Sequence, residues 1–428
     1  MMKIIFIHQN FPAQYLHIVR KLVGQRKNQV YFITQTTHSE IPGVRKLLYR
    51  PELPFATSCH AYTAVFDNAV RTGVAVADKC RALRDGGFIP DLVVGHCGWG
   101  ETLFVKDIFP KTPLLSYFEF FYHAEGADVG FDPEFAPPAE GDAGRLEVRN
   151  AVNRMSFAVS DWGHTATSWQ RSLFPGPMQA RITTLHEGVD TDQVTPDSTA
   201  WIKLARENLV LTCDDEVITY VSRNLEPYRG FHIFMRALPE ILRRHPRAHV
   251  LIAGGDGLSY GDPPPLGKTF REMLLAEVGA DLDVDRVHFL GQIPYHIYLN
   301  ILQISSVHVY LTYPFVLSWS LIEAMSVGCA IVASATAPVL EVLNDRENAL
   351  LVDFFSVDGI CDRVDEILDD PEGLEGMREA ARAKAIRDFD TKRVTLPRWT
   401  KVLRDLVHHR FPIEEPPVPG LCTLSNKR

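Results

Sequence analysis

The sequence predicts an α/β protein built from two doubly wound domains, and three observations lead to this prediction. Its 428 residues exceed what one hydrophobic core usually fills. Short apolar runs recur along the chain, as in parallel strands that are covered by helices on both faces. Longer segments with helical spacing separate these runs, which favours an alternation of strands and helices.

The first half of the chain carries the strand candidates of an N-terminal domain, which we predict over residues 1–195. These candidates are Ile4–Ile7, Val30–Ile33, Leu92–Val94 and Leu114–Leu115. The first run lies close to the N-terminus and is too short for a signal sequence or a membrane span. We therefore interpret it as the first strand of a sheet.

The second half predicts a C-terminal domain over residues 196–391, next to a polar, proline-containing linker at Asp192–Ser198. Its strand candidates are Val217–Val221, Val250–Ala253, Val287–Leu290, Val307–Leu311, Ile331–Ala333 and Leu350–Val352. One face of a helix is formed by Ile233, Phe234, Ala237, Leu238, Ile241 and Leu242. A last helical pattern covers residues 392–409, and a proline-rich tail occupies 411–428.

Charge and cysteine usage argue against several classes of protein. Lysine and arginine number 44 against 53 aspartates and glutamates, a net charge of −9, which argues against a broad nucleic-acid-binding face. The seven cysteines have no short paired spacing, so neither a disulfide framework nor a zinc cluster is predicted. We expect a cytoplasmic protein without a transmembrane segment, and peripheral contact with a membrane stays open.

Residues 313–330 form the most informative stretch, because they combine a strand end, a tight turn and a helix start. Unpaired backbone N–H groups at the start of this helix, together with the positive end of its dipole, suit a diphosphate. They belong to Leu317, Ser318, Trp319 and Ser320. Glu323, more than a turn further on, is suited to accept hydrogen bonds from two ribose hydroxyls. The pattern therefore predicts a nucleotide site in the second domain.

This stretch resembles the C-terminal signature of retaining family 4 glycosyltransferases, in which two glutamates bracket a Phe-Gly turn and Glu-Ala-Met follows. Glu323-Ala324-Met325 matches, whereas Phe315 stands at the first glutamate and Leu317-Ser318 at the Phe-Gly pair. The resemblance implies the GT-B architecture, in which two Rossmann-like domains face a cleft. It also implies a sugar transfer from a nucleoside diphosphate sugar to an acceptor hydroxyl, with retention at the anomeric carbon.

Two arginines are the candidates for binding the leaving diphosphate. The segment from Val221 to Gly230 resembles the Gly-Arg…Lys-Gly segment of the family, with Arg223 at the arginine and Arg229 at the lysine. Fixed cations at this place stabilise the charge that develops on the departing group. The alternative is a pair of surface arginines at a strand end and a helix start. By resemblance, Gly254 and Gly255 would face the sugar, and Gln292 and Ile293 would contact the base.

The N-terminal domain departs further from the family. The loop after the first strand contains no glycine, so the side chains of Asn10 or Gln14 would have to supply polar contacts. Glu119 stands where relatives have a catalytic-site histidine, and His123 follows within the same aromatic run. The polar role belongs to Glu119, to His123 or to neither of them.

A glycine-flanked turn after the Leu92–Val94 run contains two further acceptor-side candidates, His96 and Trp99. The indole could stack on an acceptor ring, or it could simply cover the domain surface.

We predict no metal requirement and no cofactor other than the donor substrate. Asp281 and Asp283 have the Asp-x-Asp spelling of a different, metal-dependent architecture, but they lie in an acidic connector away from the turns described above. The acceptor is open between a glycan, a lipid-linked molecule and a small molecule. By resemblance, the helix at 392–409 would cross back onto the N-terminal domain; periodicity alone favours equally a helix packed on its own domain.

The missing first glutamate leaves two other functions open. One is a catalytically silent relative that serves as a binding or scaffold subunit. The other is a nucleotide-sugar epimerase on the same architecture, which would need no acceptor.

Overall fold

The computed structural model describes residues 1–52, 60–138, 141–204, 209–264 and 267–412. These residues pack as two compact units. Unit 1 takes the described residues of Met1–Gly126, Ala139–Gly188 and Thr391–Arg428, and unit 2 those of Ala127–Pro138 and Val189–Asp390. The sequence suggested a first domain of residues 1–195, whereas Ala127–Pro138 and residues 189–195 belong to unit 2. Most of the predicted tail at 411–428 lies outside the described residues.

Unit 1 contains a seven-stranded parallel sheet with the order β3-β2-β1-β4-β5-β6-β7. Its strands are β1 (Lys3–Ile7), β2 (Gln29–Thr34), β3 (Val44–Leu48), β4 (Leu92–His96), β5 (Leu114–Tyr117), β6 (Trp162–Thr165) and β7 (Ile182–Thr184). The strand order reverses between β1 and β4, and in such sheets ligands bind outside the carboxyl ends of the strands at this switch point.

Helices cover both faces of this sheet. They are α1 (Leu16–Gly24), α2 (Ala64–Asp85), α3 (Val105–Ile108), α4 (Asp142–Val159), α5 (Ser168–Ser172) and α6 (Gly176–Gln179). Alternate residues of β1 enter opposite cores: Ile4 packs with Ile18 of α1, whereas Ile5 packs with Val76 of α2. This two-sided burial explains why the strand is a continuous apolar run.

Unit 2 contains a six-stranded parallel sheet with the order β12-β11-β10-β13-β14-β15, and an antiparallel pair, β8-β9. The strands are β8 (Trp201–Leu204), β9 (Leu209–Thr212), β10 (Val217–Asn224), β11 (His249–Gly255), β12 (Val287–Gly291), β13 (Val307–Tyr310), β14 (Ile331–Ser334) and β15 (Leu350–Val352). The switch point of this sheet lies between β10 and β13. Each of the predicted strands of the second half is present, and the β8-β9 pair adds to them.

The helices of unit 2 are α7 (Phe231–Arg244), α8 (Phe270–Val278), α9 (Tyr295–Gln303), α10 (Trp319–Val327), α11 (Ala337–Leu340), α12 (Val357–Asp369) and α13 (Glu375–Phe389). The predicted apolar face of α7 is buried throughout. Gly230 precedes α7 with φ of 68°, and a Cβ there would lie 2.3 Å from Leu311 Cβ. Only glycine fits this position, which fixes the turn between β10 and α7.

The last helix, α14 (Leu396–Val407), belongs to unit 1. Trp399 is 1% exposed, and its indole Nε1 donates a hydrogen bond of 3.2 Å to the carbonyl of His186. Leu403 and Leu406 join the cluster that contains Ile18. The helix therefore contributes to the core of unit 1. Among the described helices, none combines the length and the apolar character needed to cross a bilayer.

Candidate active site

Arg229 connects the two loops that meet at the switch point of unit 2. It ends a single helical turn, Pro227–Arg229, that follows β10. Its Nη1 donates to Thr312 Oγ1 at 2.8 Å and to the carbonyl oxygen of Val316 at 2.9 Å, both in the loop after β13. Its own carbonyl accepts a hydrogen bond of 2.7 Å from the hydroxyl of Tyr220. This guanidinium therefore braces the loop at residues 312–318 that precedes α10.

Glu226 lies between the two arginine candidates and was missed by the sequence reasoning. Its carboxylate accepts hydrogen bonds from the backbone N–H groups of Ser259 at 2.7 Å and Tyr260 at 3.2 Å. Burial raises its pKa, whereas these N–H groups and the charges of Arg229 and Arg223 oppose that rise. Both guanidinium groups are thus within electrostatic range of one carboxylate. The position of Glu226 between two arginines in the sequence was the feature that could have identified it.

Arg223 differs from Arg229 in its surroundings. It lies near the end of β10 and is exposed. Among the described residues, it has no hydrogen-bond or ion-pair partner, which leaves its five N–H donors for solvent or a ligand. The structure therefore combines one fixed cation and one accessible cation at the same sheet edge.

Glu323 is fully engaged by two tyrosines of α9. Its Oε1 accepts a hydrogen bond from the Tyr295 hydroxyl, and its Oε2 accepts one from the Tyr298 hydroxyl, each at 2.7 Å. Burial raises the pKa of Glu323, and the two hydroxyls oppose this rise by stabilising the ionised form. The sequence reasoning missed both tyrosines. Because Tyr295 is 56% exposed, its hydroxyl is the one that a ligand can replace.

The first turn of α10 corrects one expectation. The N–H of Ser318 donates to the Tyr310 hydroxyl at 2.9 Å, and the N–H of Ser320 donates to Ser318 Oγ at 3.3 Å. Ser318 is the N-cap residue, and a serine in this position satisfies such donors with its own side chain. These two N–H groups are therefore paired, contrary to the prediction. Leu317 is buried in the core, and Trp319 is exposed.

The glycine and base-edge candidates lie at the ends of β11 and β12. A Cβ on Gly254 would lie 2.7 Å from Leu225 Cδ2, so packing against the neighbouring loop requires this glycine. A Cβ on Gly255 would lie 2.8 Å from Asn224 Oδ1 and 2.9 Å from Gln292 Nε2. Gly255 and Gln292 are thus neighbours, and Gln292 is exposed. Ile293 packs instead against the core next to β8.

In unit 1, His96, Trp99 and Glu119 come together at the sheet's switch point. His96 ends β4, and its ring stacks on Trp99 with centroids 4.1 Å apart. Its Nδ1 accepts the N–H of Gly98 at 3.0 Å. The other ring nitrogen, Nε2, lies 3.4 Å from Glu119 Oε2, without the alignment of a hydrogen bond. His8, which follows β1, has its ring centroid 5.0 Å from that of His96.

The remaining candidates of unit 1 have different surroundings. His123 Nε2 lies 2.7 Å from the carbonyl oxygen of Leu173, so Glu119 is the candidate that contacts His96. Asn10 has an exposed side chain, and its backbone N–H donates to His8 Nδ1 at 2.8 Å. The amide oxygen of Gln14 is buried and accepts no hydrogen bond from another described residue.

Both halves of the chain match known families. Residues 26–194 match the Glycosyl transferase family 4 group, and residues 203–384 match Glycosyl transferases group 1. Together the two ranges take in most of the sequence. The chain belongs to the family 4 glycosyltransferases. The resemblance seen in the sequence is confirmed.

Individual relatives of this chain are distant. A D-inositol 3-phosphate glycosyltransferase of Corynebacterium aurimucosum is 27% identical over 202 residues, which are 47% of this chain and 46% of that protein. A GDP-mannose-dependent alpha-(1-6)-phosphatidylinositol monomannoside mannosyltransferase of Mycolicibacterium smegmatis is 30% identical over 233 residues, 50% of this chain and 54% of that protein. The chain spans about half the length of the curated relatives it matches.

Solved structures agree with the predicted fold class. Sucrose-phosphate synthase from Thermosynechococcus elongatus superposes with a TM-score of 0.69 at 18% identity, over 96% of this chain and 100% of that one. Anabaena HepE in complex with UDP and glucose superposes with a TM-score of 0.66 at 16% identity, over 95% and 100% of the two chains. The GT-B fold class, with two parallel α/β domains, is confirmed.

Phe315 stands at the position where the resemblance places the first glutamate of the family signature. Its ring is 5% exposed and lies between Tyr260, at 4.8 Å, and Tyr228, at 5.4 Å between centroids. The guanidinium carbon of Arg229 lies 5.5 Å from the centre of the Tyr260 ring. Phe315 is therefore packed among aromatic rings, and its side chain cannot accept a hydrogen bond from a sugar hydroxyl.

Glu101 is a buried acid behind the His96 site that the sequence reasoning did not single out. It is 0% exposed, and burial raises its pKa to about 7, although His96 and the backbone N–H groups of Glu101, Trp99 and Gln9 oppose this. The carboxyl group therefore takes up or releases a proton near neutral pH. Its position in the same glycine-flanked turn as Trp99 was the sequence feature that could have identified it.

The arrangement of histidine, cysteine and acidic side chains bears on metal binding. No group of three or more histidine, cysteine, aspartate or glutamate side chains there is arranged to hold a metal ion. Asp283, from the Asp-x-Asp spelling, forms an ion pair with Arg286 at 2.7 Å. The Asp283 carboxylate is therefore already paired with an arginine of the same connecting segment.

Proposed function

We propose that this protein is a retaining glycosyltransferase, which moves a hexose from a nucleoside diphosphate sugar to an acceptor hydroxyl without a metal ion. The observation that carries the proposal is the pair Arg223 and Arg229, which lie on either side of the buried Glu226 at the switch point of unit 2. Ligands of doubly wound sheets bind at this location. Two guanidinium groups suit the two phosphates of such a donor.

The two arginines would have different tasks in binding the diphosphate. Arg229 is held by Thr312 and Val316, so its charge is preorganised and needs little rearrangement when the leaving group departs. Arg223 is exposed and would close onto the phosphate when the donor binds. Backbone N–H groups of residues 317–320 would help only after exchanging their present hydrogen bonds.

The nucleoside part of the donor would lie along α9 and α10. Glu323 would accept the two ribose hydroxyls, with the exposed Tyr295 giving up its hydrogen bond. Gln292 is exposed beside Gly255 and would contact the base, with the backbone of Ile293 next to it. Gly254 and Gly255 allow the sugar to approach the backbone closely.

Transfer with retention would use the donor's own phosphate. The bond between the anomeric carbon and the phosphate oxygen breaks, and the acceptor oxygen forms a new bond on the same face of the sugar. The acceptor's proton passes to the departing phosphate oxygen, so the charge balances without a separate base. Glu119 would stabilise the positive charge that develops on the sugar ring, and His96 beside it would orient that carboxylate.

The acceptor side would be built by unit 1. Trp99 is partly exposed and stacked on His96, which suits contact with the face of a ring. Gln14 has a buried amide oxygen, and Asn10 an exposed amide, from which a hydroxylated acceptor could gain hydrogen bonds. His123 is bonded to Leu173 and would act on the acceptor only indirectly.

The named relatives support the class of donor and acceptor. One structural neighbour is described in complex with UDP-glucose, and one relative is named as GDP-mannose-dependent. Several relatives are named as D-inositol 3-phosphate glycosyltransferases. We infer a UDP- or GDP-linked hexose as the donor, and a hydroxyl-rich acceptor that is free or lipid-linked, for a protein working in the cytoplasm.

A catalytically silent binding subunit is the second candidate. It is favoured by Phe315, which removes a polar contact to the sugar, and by the occupied carboxylate of Glu323. Such a subunit would bind nucleotide without consuming a donor. An epimerase would consume the donor with no acceptor present.

A thermal-shift panel with UDP-glucose, GDP-mannose, ADP-glucose and TDP-glucose tests the proposal. A donor bound only by the folded protein raises its melting temperature, and we expect Arg223→Ala and Glu323→Ala to abolish that rise. Consumption of the same donor only after addition of an acceptor extract would identify transfer. Absence of any shift, or shifts that survive both substitutions, would refute the proposed site.

A further inference from the structure

Ala127–Pro138, here called the arm, lies between β5 and α4 in the sequence but packs within unit 2. Two aromatic side chains anchor it. Phe131 packs against Phe354, with ring centroids 5.2 Å apart, and Phe135 against Phe270, at 5.6 Å. The arm is therefore fixed to unit 2 by apolar contacts as well as by the polar contacts described next.

Asp132 of the arm is a buried carboxylate with several partners. It is 1% exposed and accepts hydrogen bonds from the Tyr313 hydroxyl and, at 2.8 Å, from the N–H of Glu134. His232 Nε2 of α7 lies 3.1 Å from its Oδ2. Burial alone would raise its pKa, but the neighbouring His232 imidazole and the hydrogen bonds from Tyr313 and the N–H of Glu134 lower it to about 2. The carboxylate is ionised at neutral pH and holds the tyrosine hydroxyl by a charge-assisted hydrogen bond.

Asp128, also buried in the arm, contacts a second tyrosine. Its Oδ2 accepts a hydrogen bond of 3.0 Å from the hydroxyl of Tyr228. The carbonyl oxygen of Tyr228 accepts the N–H of Tyr313 at 3.0 Å, and the two tyrosine rings are 4.6 Å apart. The arm thus holds two adjacent tyrosines by their hydroxyl groups.

These tyrosines are chain neighbours of the residues that brace the proposed diphosphate site. Tyr228 immediately precedes Arg229, and Tyr313 immediately follows Thr312, the side chain to which Arg229 donates. We propose that Asp128 and Asp132 are positioning residues, which set the geometry of Arg229 and the 312–318 loop for binding the donor diphosphate. The inference rests on the proposed function of that site.

A matched control lies on the same arm. Glu134 forms an ion pair with Arg236 at 2.8 Å, its side chain is 46% exposed, and its carboxylate accepts hydrogen bonds from Arg236 and not from the hydroxyl of Tyr228 or Tyr313. Exposed pairs of this kind contribute little. Glu134→Gln therefore removes a carboxylate of the arm without removing a contact to Tyr228 or Tyr313.

The test is calorimetric titration of UDP-glucose and GDP-mannose into the full chain and its variants. We expect Asp132→Asn and Tyr313→Phe each to weaken binding about tenfold, because each removes the same buried charge-assisted bond. The double variant should be no weaker than the more affected single one. Glu134→Gln should bind as the unchanged protein does.

Loss of stability alone must not explain the result. Ile367→Ala, in the buried face of α12, lowers the melting temperature without touching the arm or the 312–318 loop, and should leave the affinity unchanged. Unchanged affinity in both Asp132→Asn and Tyr313→Phe would overturn the inference while leaving the proposed function standing. If the unchanged protein binds neither nucleotide sugar, the proposed function fails and the inference with it.

Discussion

At the scale of single residues, Arg223 and Arg229 carry the same charge but have different relations to the fold. Arg229 makes hydrogen bonds to the 312–318 loop, whereas Arg223 is exposed. Removal of Arg229 leaves the buried Thr312 hydroxyl and the part-buried carbonyl of Val316 without this donor, which costs stability. Removal of Arg223 leaves no described hydrogen-bond acceptor without its donor. The two substitutions should therefore separate binding from folding.

The first prediction compares Arg223→Ala with Arg229→Ala. Both should weaken nucleotide-sugar binding at least about tenfold, since each removes a charge-assisted contact to phosphate. Arg229→Ala should also lower the free energy of unfolding by about 1–3 kcal/mol, whereas Arg223→Ala should change it by less than about 0.5 kcal/mol. Titration calorimetry and urea unfolding measure the two quantities. A stability loss in Arg223→Ala equal to that in Arg229→Ala would contradict this division.

A second prediction concerns the pH dependence of stability through Glu101. Burial raises its pKa from 4.5 to about 7, so between these values the folded state holds a proton that the unfolded state releases. This contribution is fully present below pH 4.5 and is lost as the pH rises to about 7. The loss is on the order of 3 kcal/mol.

Glu101→Gln should remove that pH dependence, because the amide is neutral throughout. Compared with the unchanged protein, the variant should gain about 3 kcal/mol of unfolding free energy between pH 4.5 and pH 8, measured by urea unfolding. Glu125→Gln, at an exposed position of unit 1, should follow the unchanged protein at every pH. Parallel curves for Glu101→Gln and the unchanged protein would argue against the raised pKa.

Residue contacts also show where sequence reasoning about the site stopped. The charges at Arg223, Arg229 and Glu323 stand out by residue type and position along the chain. The partners of Glu323 do not, because Tyr295 and Tyr298 belong to another helix and reach it only through tertiary packing. The spacing of residues along the chain does not show that their hydroxyl groups bond to Glu323. The same holds for the Tyr310 hydroxyl, which accepts the N–H of Ser318.

At the scale of elements, apolar runs located the strands that are buried on both faces. They missed β8, where Trp201 and Lys203 are exposed and alternate with buried residues over only a few positions. They also missed β6, whose His164 and Thr165 are buried polar residues. Polar residues interrupt the apolar pattern of these short strands, so a search for continuous apolar runs does not detect them.

The third prediction tests the role of α14 in unit 1. Trp399→Ala should lower stability by about 3–5 kcal/mol, because it removes a large buried side chain and its bond to His186. Lys401→Ala, on the same helix, removes an exposed ion pair with Asp405 and should cost less than about 0.5 kcal/mol. Thermal unfolding followed by circular dichroism compares them. Equal melting temperatures for the two variants would exclude a core role for α14.

At the scale of the whole molecule, two parallel sheets of the expected class follow from length, apolar runs and the family signature. The packing of the arm in unit 2 could not be predicted, because its prolines and acidic residues are typical of a surface loop. Asp132 finds its partners in His232 and Tyr313, which are distant in sequence. Because these contacts are distant in sequence, a pattern read from neighbouring residues alone predicts a surface loop for this segment.

The fourth prediction is that the transfer reaction is independent of divalent metal. In the proposed site, guanidinium groups would take the place of a cation at the diphosphate, so EDTA should leave the initial rate within about twofold of its value with Mg²⁺. The measurement is donor consumption in the presence of the acceptor extract. A rate that falls with EDTA and returns with Mg²⁺ or Mn²⁺ would contradict it.

The most direct measurement is a crystal structure of the protein with the nucleoside diphosphate sugar that gives the largest thermal shift. We expect the diphosphate within hydrogen-bonding distance of Arg223 and Arg229, and the ribose hydroxyls bonded to Glu323 with the Tyr295 hydroxyl displaced. A nucleotide bound elsewhere, or guanidinium groups that do not contact its phosphates, would contradict the central claim.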